Sequence, residues 1–345
     1  MPLKKLQLKA GVNRENTRYT SEGGWYESDK VRFRQGMPEK IGGWQRISTA
    51  TFQGVCRSLH SWVTLVDLTL TSVGTNLKYY LENGGAYYDI TPIRATVTLT
   101  NPFTTANGST TVTVTDAVGG YSDGDFVTFS NASASGGLTL NGEFQITFST
   151  GNTYTITAAS AASSTATGGG TVTATYQISS GTALESPLVG WSAGTWGEGT
   201  WGNGGASTES LRIWSQGNFG EDLILGHRGS PLYFWDASEN TPLDNPATLL
   251  SAESGASNVP TAQNIILVSD INRFVFCFGA NTLGTTTQDP MLIRWSDQEN
   301  ATNWTPAATT QAGDLRLSRG SEIIAAEQTR QELLVWTDFS VYSLQ

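Results

Sequence analysis

The chain has 345 residues, among them 38 glycines and 35 aromatics, with only 14% charged side chains and a formal net charge of −10. A chain of that length buries one or two cores without disulfides or metals, and that composition describes many short strands joined by tight turns rather than helices. It excludes an apolar helix of membrane-spanning length, since no run of about 18 apolar residues occurs, and it excludes a phosphate-binding surface over 95–211, where Lys and Arg are absent.

The cations gather at the start. Residues 1–57 hold 11 basic side chains against five acidic ones, a net of +6, which leaves −16 for the remainder. The opening MPLKKLQLKAG has charge but no apolar stretch of signal-peptide length, which predicts synthesis in a cytoplasm. Residues 1–50 read as an extended basic arm. Its segment Lys30-Val31-Arg32-Phe33-Arg34 alternates charged and apolar residues at strand period, and Gly36-Met37-Pro38 and Gly42-Gly43 punctuate it as turns. Isolated aromatics (Trp25, Tyr26, Phe33, Trp44) suit an arm that packs across a partner or a neighbouring element. The alternative is that the segment supplies the first strands of the main domain.

Residues 51–94 predict a first blade: a strand over 65–72, a second over 76–81, an Asn83-Gly84-Gly85 turn and a third over 86–90. From 95 to 176 the composition turns to Thr, Ser, Val, Gly and Ala. The runs TVTLT at 96–100, TVTVT at 111–115, TYTIT at 153–157 and TVTAT at 171–175 place Thr on one face and an apolar residue on the other. With 126–129 and 144–148 they give about six strands, a small β-sandwich or barrel inserted into the main domain.

Residues 177–210 form a Trp/Gly-rich loop in which Trp191, Trp196 and Trp201 recur every five residues. Aromatic steps of this kind can bind sugars, but the preferred reading is an ordered loop anchored by its own tryptophans. Over 211–345 three strand sets follow, each with a strand ending in Trp and then Asp: Trp235-Asp236, Trp295-Asp297 and Trp336-Asp338. Such degenerate repeats are the signature of propeller blades. The fold class expected is therefore all-β, a β-propeller-like main domain of about four blades with an inserted small sandwich or barrel. The sequence ends within a predicted strand, so the chain is expected either to be part of a longer protein or to close its ring with its amino-terminal segment.

Catalytic chemistry is not legible. The two histidines, His60 and His227, belong to no HExxH pair, and no GxSxG elbow occurs. Asp123-Gly124-Asp125 lacks the further ligands of a calcium loop and reads as a turn. Residues 296–304, SDQENATNW, approach the Asp-box turn of propeller glycosidases but displace its Asp and lack its Gly, and no arginine triad of the sialidase kind can be nominated. Cys56 and Cys277 have no CxxC spacing and are expected as buried free thiols. No catalytic residue, metal or cofactor is predicted, and the chain is expected not to be an enzyme.

Several stretches together resemble a family. They are Gly11-Val12-Asn13-Arg14-Glu15-Asn16-Thr17, the run WYESDKVRFR at 25–34, GMPEKIGGW at 36–44, WSQGNFGED at 214–222, DPMLIRWSD at 289–297 and QTRQELLVWTD at 328–338. They are similar to bacteriophage virion proteins of short-tailed phages, the tail nozzle or tail tubular protein B, and the packaged-DNA stabilisation hubs. The resemblance implies a propeller subunit of a virion tail, made in the bacterial host cytoplasm. Six copies of it would ring a channel below the portal and adaptor and hold packaged DNA until ejection. The partners implied are further copies of itself, the adaptor and portal complex, tail fibres or spikes, DNA in transit and the host surface. On that reading Lys4, Lys5, Lys9, Arg14, Arg18, Lys30, Arg32 and Arg34 form a docking arm for an acidic neighbouring ring, and acidic surface facing the lumen repels phosphate. A receptor-binding adhesin recognising host glycans is the alternative, and a glycosidase a further one.

Overall fold

A computed structural model describes residues 9–15, 17–20, 23–43, 48–182, 211–238, 243–269 and 272–345. The chain is all-β: its described residues form antiparallel sheets with one 3₁₀ turn at Leu250–Ala252. It divides into two compact units, Met1–Thr49 and Ala50–Gln345. Among the described residues no helix is long and apolar enough to cross a membrane.

Among the described residues of the amino-terminal unit is a hairpin, β1 (Val31–Arg34) with β2 (Met37–Lys40). The second unit opens with a four-stranded meander, β3 (Cys56–Val63), β4 (Thr69–Thr75), β5 (Tyr79–Asn83) and β6 (Ala86–Asp89), paired in that order. Leu65 and Val66, placed by periodicity at the start of a strand, lie instead on the exposed tip between β3 and β4, where Asp67 takes a left-handed φ of 60°. The β5–β6 turn uses Gly84 and Gly85, at φ 58° and 91°, so Asn83 stays in the strand opposite Ala86. Cys56 corrects the expectation of a buried thiol: it is exposed, because it opens an edge strand at a bulge between Cys56 and Ser58. Cys277 is buried.

Between β6 and the next meander the chain builds a sandwich. Its strands are β7 (Ile93–Thr100), β8 (Phe103–Thr105), β9 (Thr111–Thr115), β10 (Phe126–Ser130), β11 (Gly142–Gln145), β12 (Phe148–Thr150), β13 (Thr153–Thr157), β14 (Ala166–Gly168) and β15 (Thr171–Gln177). One sheet runs β11-β10-β15-β7 and the other β12-β13-β9-β8-β14. The Thr alternation does what period 2 demands: Val112, Val114, Tyr154, Ile156, Val172 and Ala174 enter one core while their Thr neighbours face outward. The single strand predicted over 144–148 is two, one in each sheet. Ile146 is buried where the chain crosses between them, its N–H held by the Asp125 carbonyl at 2.8 Å. Inside, Asp116 is 2% exposed and fully engaged. It accepts the Val118 and Gly119 N–H groups at 2.8 and 3.1 Å and the Tyr176 hydroxyl at 2.6 Å, and Tyr176 also shares a 2.7 Å bond with Tyr154. Burial, with the neighbouring Tyr154 and Asp116, drives the Tyr176 hydroxyl far above its ordinary range.

Three more sheets follow. The second is β16 (Trp214–Phe219), β17 (Asp222–His227), β18 (Tyr233–Trp235) and β19 (Thr248–Leu249). The third is β20 (Ile265–Val268), β21 (Val275–Phe278), β22 (Leu292–Trp295) and β23 (Gly313–Arg316). The fourth has three strands, β24 (Ile323–Gln328), β25 (Leu333–Thr337) and β26 (Val341–Leu344). Successive sheets share buried clusters. Leu70, Tyr79 and Leu81 meet Trp214, Leu223 and Leu225; Ile224 meets Ile266, Val275 and Cys277; Phe278 and Ile293 meet Ile323 and Val335. The first strands β3, β16, β20 and β24 neighbour one another in turn, as propeller blades do. Gly74 permits the first of these contacts, since a Cβ there would lie 2.7 Å from the Trp214 ring. Among the described residues no buried cluster joins the fourth sheet to the first. The Trp-Asp pairs are not equivalent: Trp235 and Trp295 end third strands, whereas Trp336 lies in the second strand of its sheet.

A buried cation ties the sandwich to the first sheet. Lys78, 1% exposed, donates to Asp89 at 2.6 Å and to Glu143 of β11, and its ammonium lies 4.4 Å from the Phe126 ring centroid. Asp89 also accepts Gln177 of β15 at 3.0 Å. Removing one partner of such a buried pair costs about 3–5 kcal/mol. Lys78→Met should lower urea-unfolding stability by that order, and adding Glu143→Gln should cost less than it does in the wild type.

His227 ends β17 against the edge of Trp214. Burial first, then the Arg212 charge, pushes its pKa down to about 3, against a weaker upward pull from the Arg228 carbonyl. The unfolded chain takes up the proton near its ordinary value of about 6.5, so the stabilisation is complete above that pH and is lost as pH falls toward 3. His227→Gln should flatten this acid limb, which otherwise falls by up to about 1.4 kcal/mol per pH unit in denaturant titrations.

Candidate functional site

Of the eight cations expected on a docking arm, Lys4 and Lys5 lie outside the described residues, as do Trp191, Trp196 and Trp201. Lys9, Arg14, Arg18, Lys30, Arg32 and Arg34 are brought together in the amino-terminal unit. The β1–β2 hairpin organises them. Gln35 and Gly36, at φ 50° and 81°, form the two-residue turn between the paired Arg34 and Met37, and the Ile41 N–H closes the open end on the Lys30 carbonyl at 2.9 Å. Alternation then sorts the faces. Arg32 and Arg34 are exposed beside Glu39 and Met37, while Val31 and Phe33 are half-buried with Pro38.

Phe33 packs edge-on against Trp25 at 6.0 Å, and Trp25 belongs to a second layer of backbone. There Val12 bridges Trp25 in parallel, with Asn13 N–H to the Trp25 carbonyl at 2.9 Å and Lys9 N–H to the Gly23 carbonyl at 2.7 Å. Arg14 pairs with Glu27 at 3.0 Å, and both Arg14 and Arg18 lie near the Tyr26 ring, 5.7 and 5.0 Å from its centroid.

Arg32 pairs with Glu39 at 3.1 Å. The other four cations, Lys9, Arg18, Lys30 and Arg34, have no ion pair among the described residues. Sequence reasoning located these cations, but it missed that two of them are answered by carboxylates of the same unit. Glu39, which Cα pairing sets opposite Arg32, was the available signal. A surface of this kind attracts an acidic partner and raises its association rate, in a salt-dependent way.

The sequence features weighed for chemistry occupy structural places. His60 stacks on Trp62 at 5.7 Å and bonds Asn218, while His227 lies in a different sheet. Gly124, at φ 88°, turns the chain between Asp123, which accepts Ser149 at 2.6 Å, and the buried Asp125, which accepts the Ser122 and Ser180 N–H groups. The 296–304 segment is a packed connection after β22. Ser296 accepts the Val275 N–H at 3.0 Å, Asp297 accepts that of Gln311 at 2.7 Å, and Trp304 is buried with its indole N–H on the Ala301 carbonyl. Among the described residues no group of three or more His, Cys, Asp or Glu side chains is placed to hold a metal ion.

No family model matches the chain, and no curated protein matches it. Among solved structures, the endosialidase of phage phi92 superposes with a TM-score of 0.25 at 15% identity, over 87% of this chain and 43% of its own. This chain thus spans less than half the length of that protein, and a superposition this loose carries no argument about function.

The hairpin should behave as a turn-limited element. Glu27→Gln with Glu39→Gln should leave the melting temperature nearly unchanged, since exposed pairs contribute about 0–1 kcal/mol each. Gly36→Val, which forces a β-branched residue to φ 81°, should raise amide hydrogen exchange across Val31–Arg34 and Met37–Lys40.

Proposed function

We propose that this protein is a structural subunit of a bacteriophage tail, a nozzle or hub that forms a ring below the portal and adaptor, retains packaged DNA and gives it a channel for ejection. The observation that carries the reading is the division of charge between two separate units. Met1–Thr49 holds ten basic side chains against five acidic ones, with Arg32 and Arg34 on one exposed hairpin face, while the rest of the chain is strongly acidic. A cationic unit of this kind suits docking on an acidic neighbouring ring. An acidic body lets a polyanion pass without adhering, because affinity for phosphate scales with the cations presented to it. The resemblance of GVNRENT, KVRFR and DPMLIRWSD to the nozzle and hub family supports the same reading, and so does a main unit made of successive blade-like sheets.

Electron microscopy of the purified protein, with and without purified portal and adaptor, tests the proposal. A six-fold ring that caps the portal complex, and that is lost on deleting residues 1–20 or on Arg32→Glu with Arg34→Glu, is the expected result. Monomers or trimers indifferent to the portal complex overturn it and favour an adhesin. A ring that still attaches after both changes overturns the docking role of the arm alone.

A further inference from the structure

A second site lies between the second and third sheets, around a residue whose type contradicts its position. β22 alternates like its neighbours, and Ile293 enters the core shared with the fourth sheet. The next residue, on the opposite face and across from Cys277, is Arg294, only 2% exposed. Burying a guanidinium costs several kcal/mol unless an anion compensates it. Among the described residues no carboxylate lies within ion-pair distance of Arg294, and Asp314, across from it on β23, bears on it only at longer range. Its two hydrogen-bond partners are neutral backbone carbonyls, Asn258 at 2.5 Å and Asn281 at 3.3 Å, so two of its five N–H donors are engaged and no ion pair neutralises its charge.

The surroundings are built to hold that geometry. Asn258 adopts a left-handed φ of 52° and is anchored by its side chain to Thr305 at 2.8 Å, which presents its carbonyl to the guanidinium. Asn281, 3% exposed, accepts the Thr261 N–H at 2.8 Å and donates to the Thr285 carbonyl at 2.7 Å, fixing the two loops on either side. Arg294 lines a cavity of about 590 Å³ between these loops. Ser251, Thr261, Thr286 and Thr287 line it too, no acidic side chain does, and those four hydroxyls have no hydrogen bond to the described protein groups.

We propose that this cavity binds an oxyanion carried on a polyhydroxylated molecule, the carboxylate of an acidic sugar, with Arg294 as the fork that receives the two oxygens. The planar guanidinium matches a carboxylate in two parallel bonds. The idle hydroxyls match a ring of alcohol groups, and the volume lies within the range of small-ligand sites. This inference is independent of the ring reading, since no residue of the amino-terminal unit enters it.

Calorimetry and NMR titration of the whole chain with galacturonate, inorganic phosphate and galactose test it. The expected result is a uronate dissociation constant on the order of 1 mM, with galactose at least tenfold weaker. Phosphate binding at a level with uronate also supports the oxyanion site, and makes a free anion rather than a sugar its source. Arg294→Gln should abolish uronate binding. Should that variant fail to fold, Thr286→Val with Thr287→Val leaves the cation in place and should weaken uronate by at least tenfold while sparing phosphate. Absence of uronate and phosphate binding at ten times the expected constant overturns the proposal, and so does uronate binding unchanged in the Arg294 or the threonine variants.

Discussion

The main unit depends on sheets that are apolar on both faces. In β17, Leu223 and Leu225 belong to the core shared with the first sheet, while Ile224 between them belongs to the core shared with the third. β21 repeats the device, with Val275 and Cys277 facing one way and Phe278 the other. Each such side chain contributes about 1.5–3 kcal/mol only when its face is covered, so no one sheet is stable alone and the stack forms as a series of mutual covers. Small residues set how closely the covers meet. Gly74 admits the Trp214 ring, and a Cβ at Gly226 would lie 2.9 Å from Ile266 of the next sheet.

The sandwich solves the same problem internally and needs no neighbour for its core. Its attachment is therefore polar rather than apolar. Lys78 reaches from the turn before β5 to Glu143 while holding Asp89, and Arg94 sits over Tyr176 and pairs with Asp125 at 3.6 Å. Of these, Lys78 crosses from the first sheet to the sandwich and holds the insert's orientation there, whereas Arg94, on β7, braces the sandwich internally.

The sequence made the strand content and the sandwich legible because period-2 alternation is strong where Thr and Val take turns, as in TVTVT and TYTIT. It misled where apolar residues were not strand residues: Leu65 and Val66 look like a strand start and form an exposed hairpin tip. It also misled where a strand changed sheets, since Phe144 and Phe148 share one run of text but belong to different layers. The cations of the arm were readable one by one, and their pairing was not, because it depends on the register that sets Arg32 opposite Glu39. Arg294 was hidden for the opposite reason. One charged letter in an apolar strand says nothing of its surroundings until the loops at 258 and 281 are folded around it.

The cation-free stretch has a consequence for anyone mapping this protein's contacts. Between Arg94 and Arg212 trypsin has no bond to cleave, so all of the sandwich beyond the first two residues of β7 leaves a digest as one long peptide. Amine-reactive cross-linkers have nothing to attach to there either. A proximity map built on lysines would report the neighbours of the amino-terminal unit in detail and leave the sandwich blank, and that blank would reflect the chemistry of the reagent rather than isolation of the domain. Carboxyl-directed coupling at exposed sites such as Asp123 would fill it in.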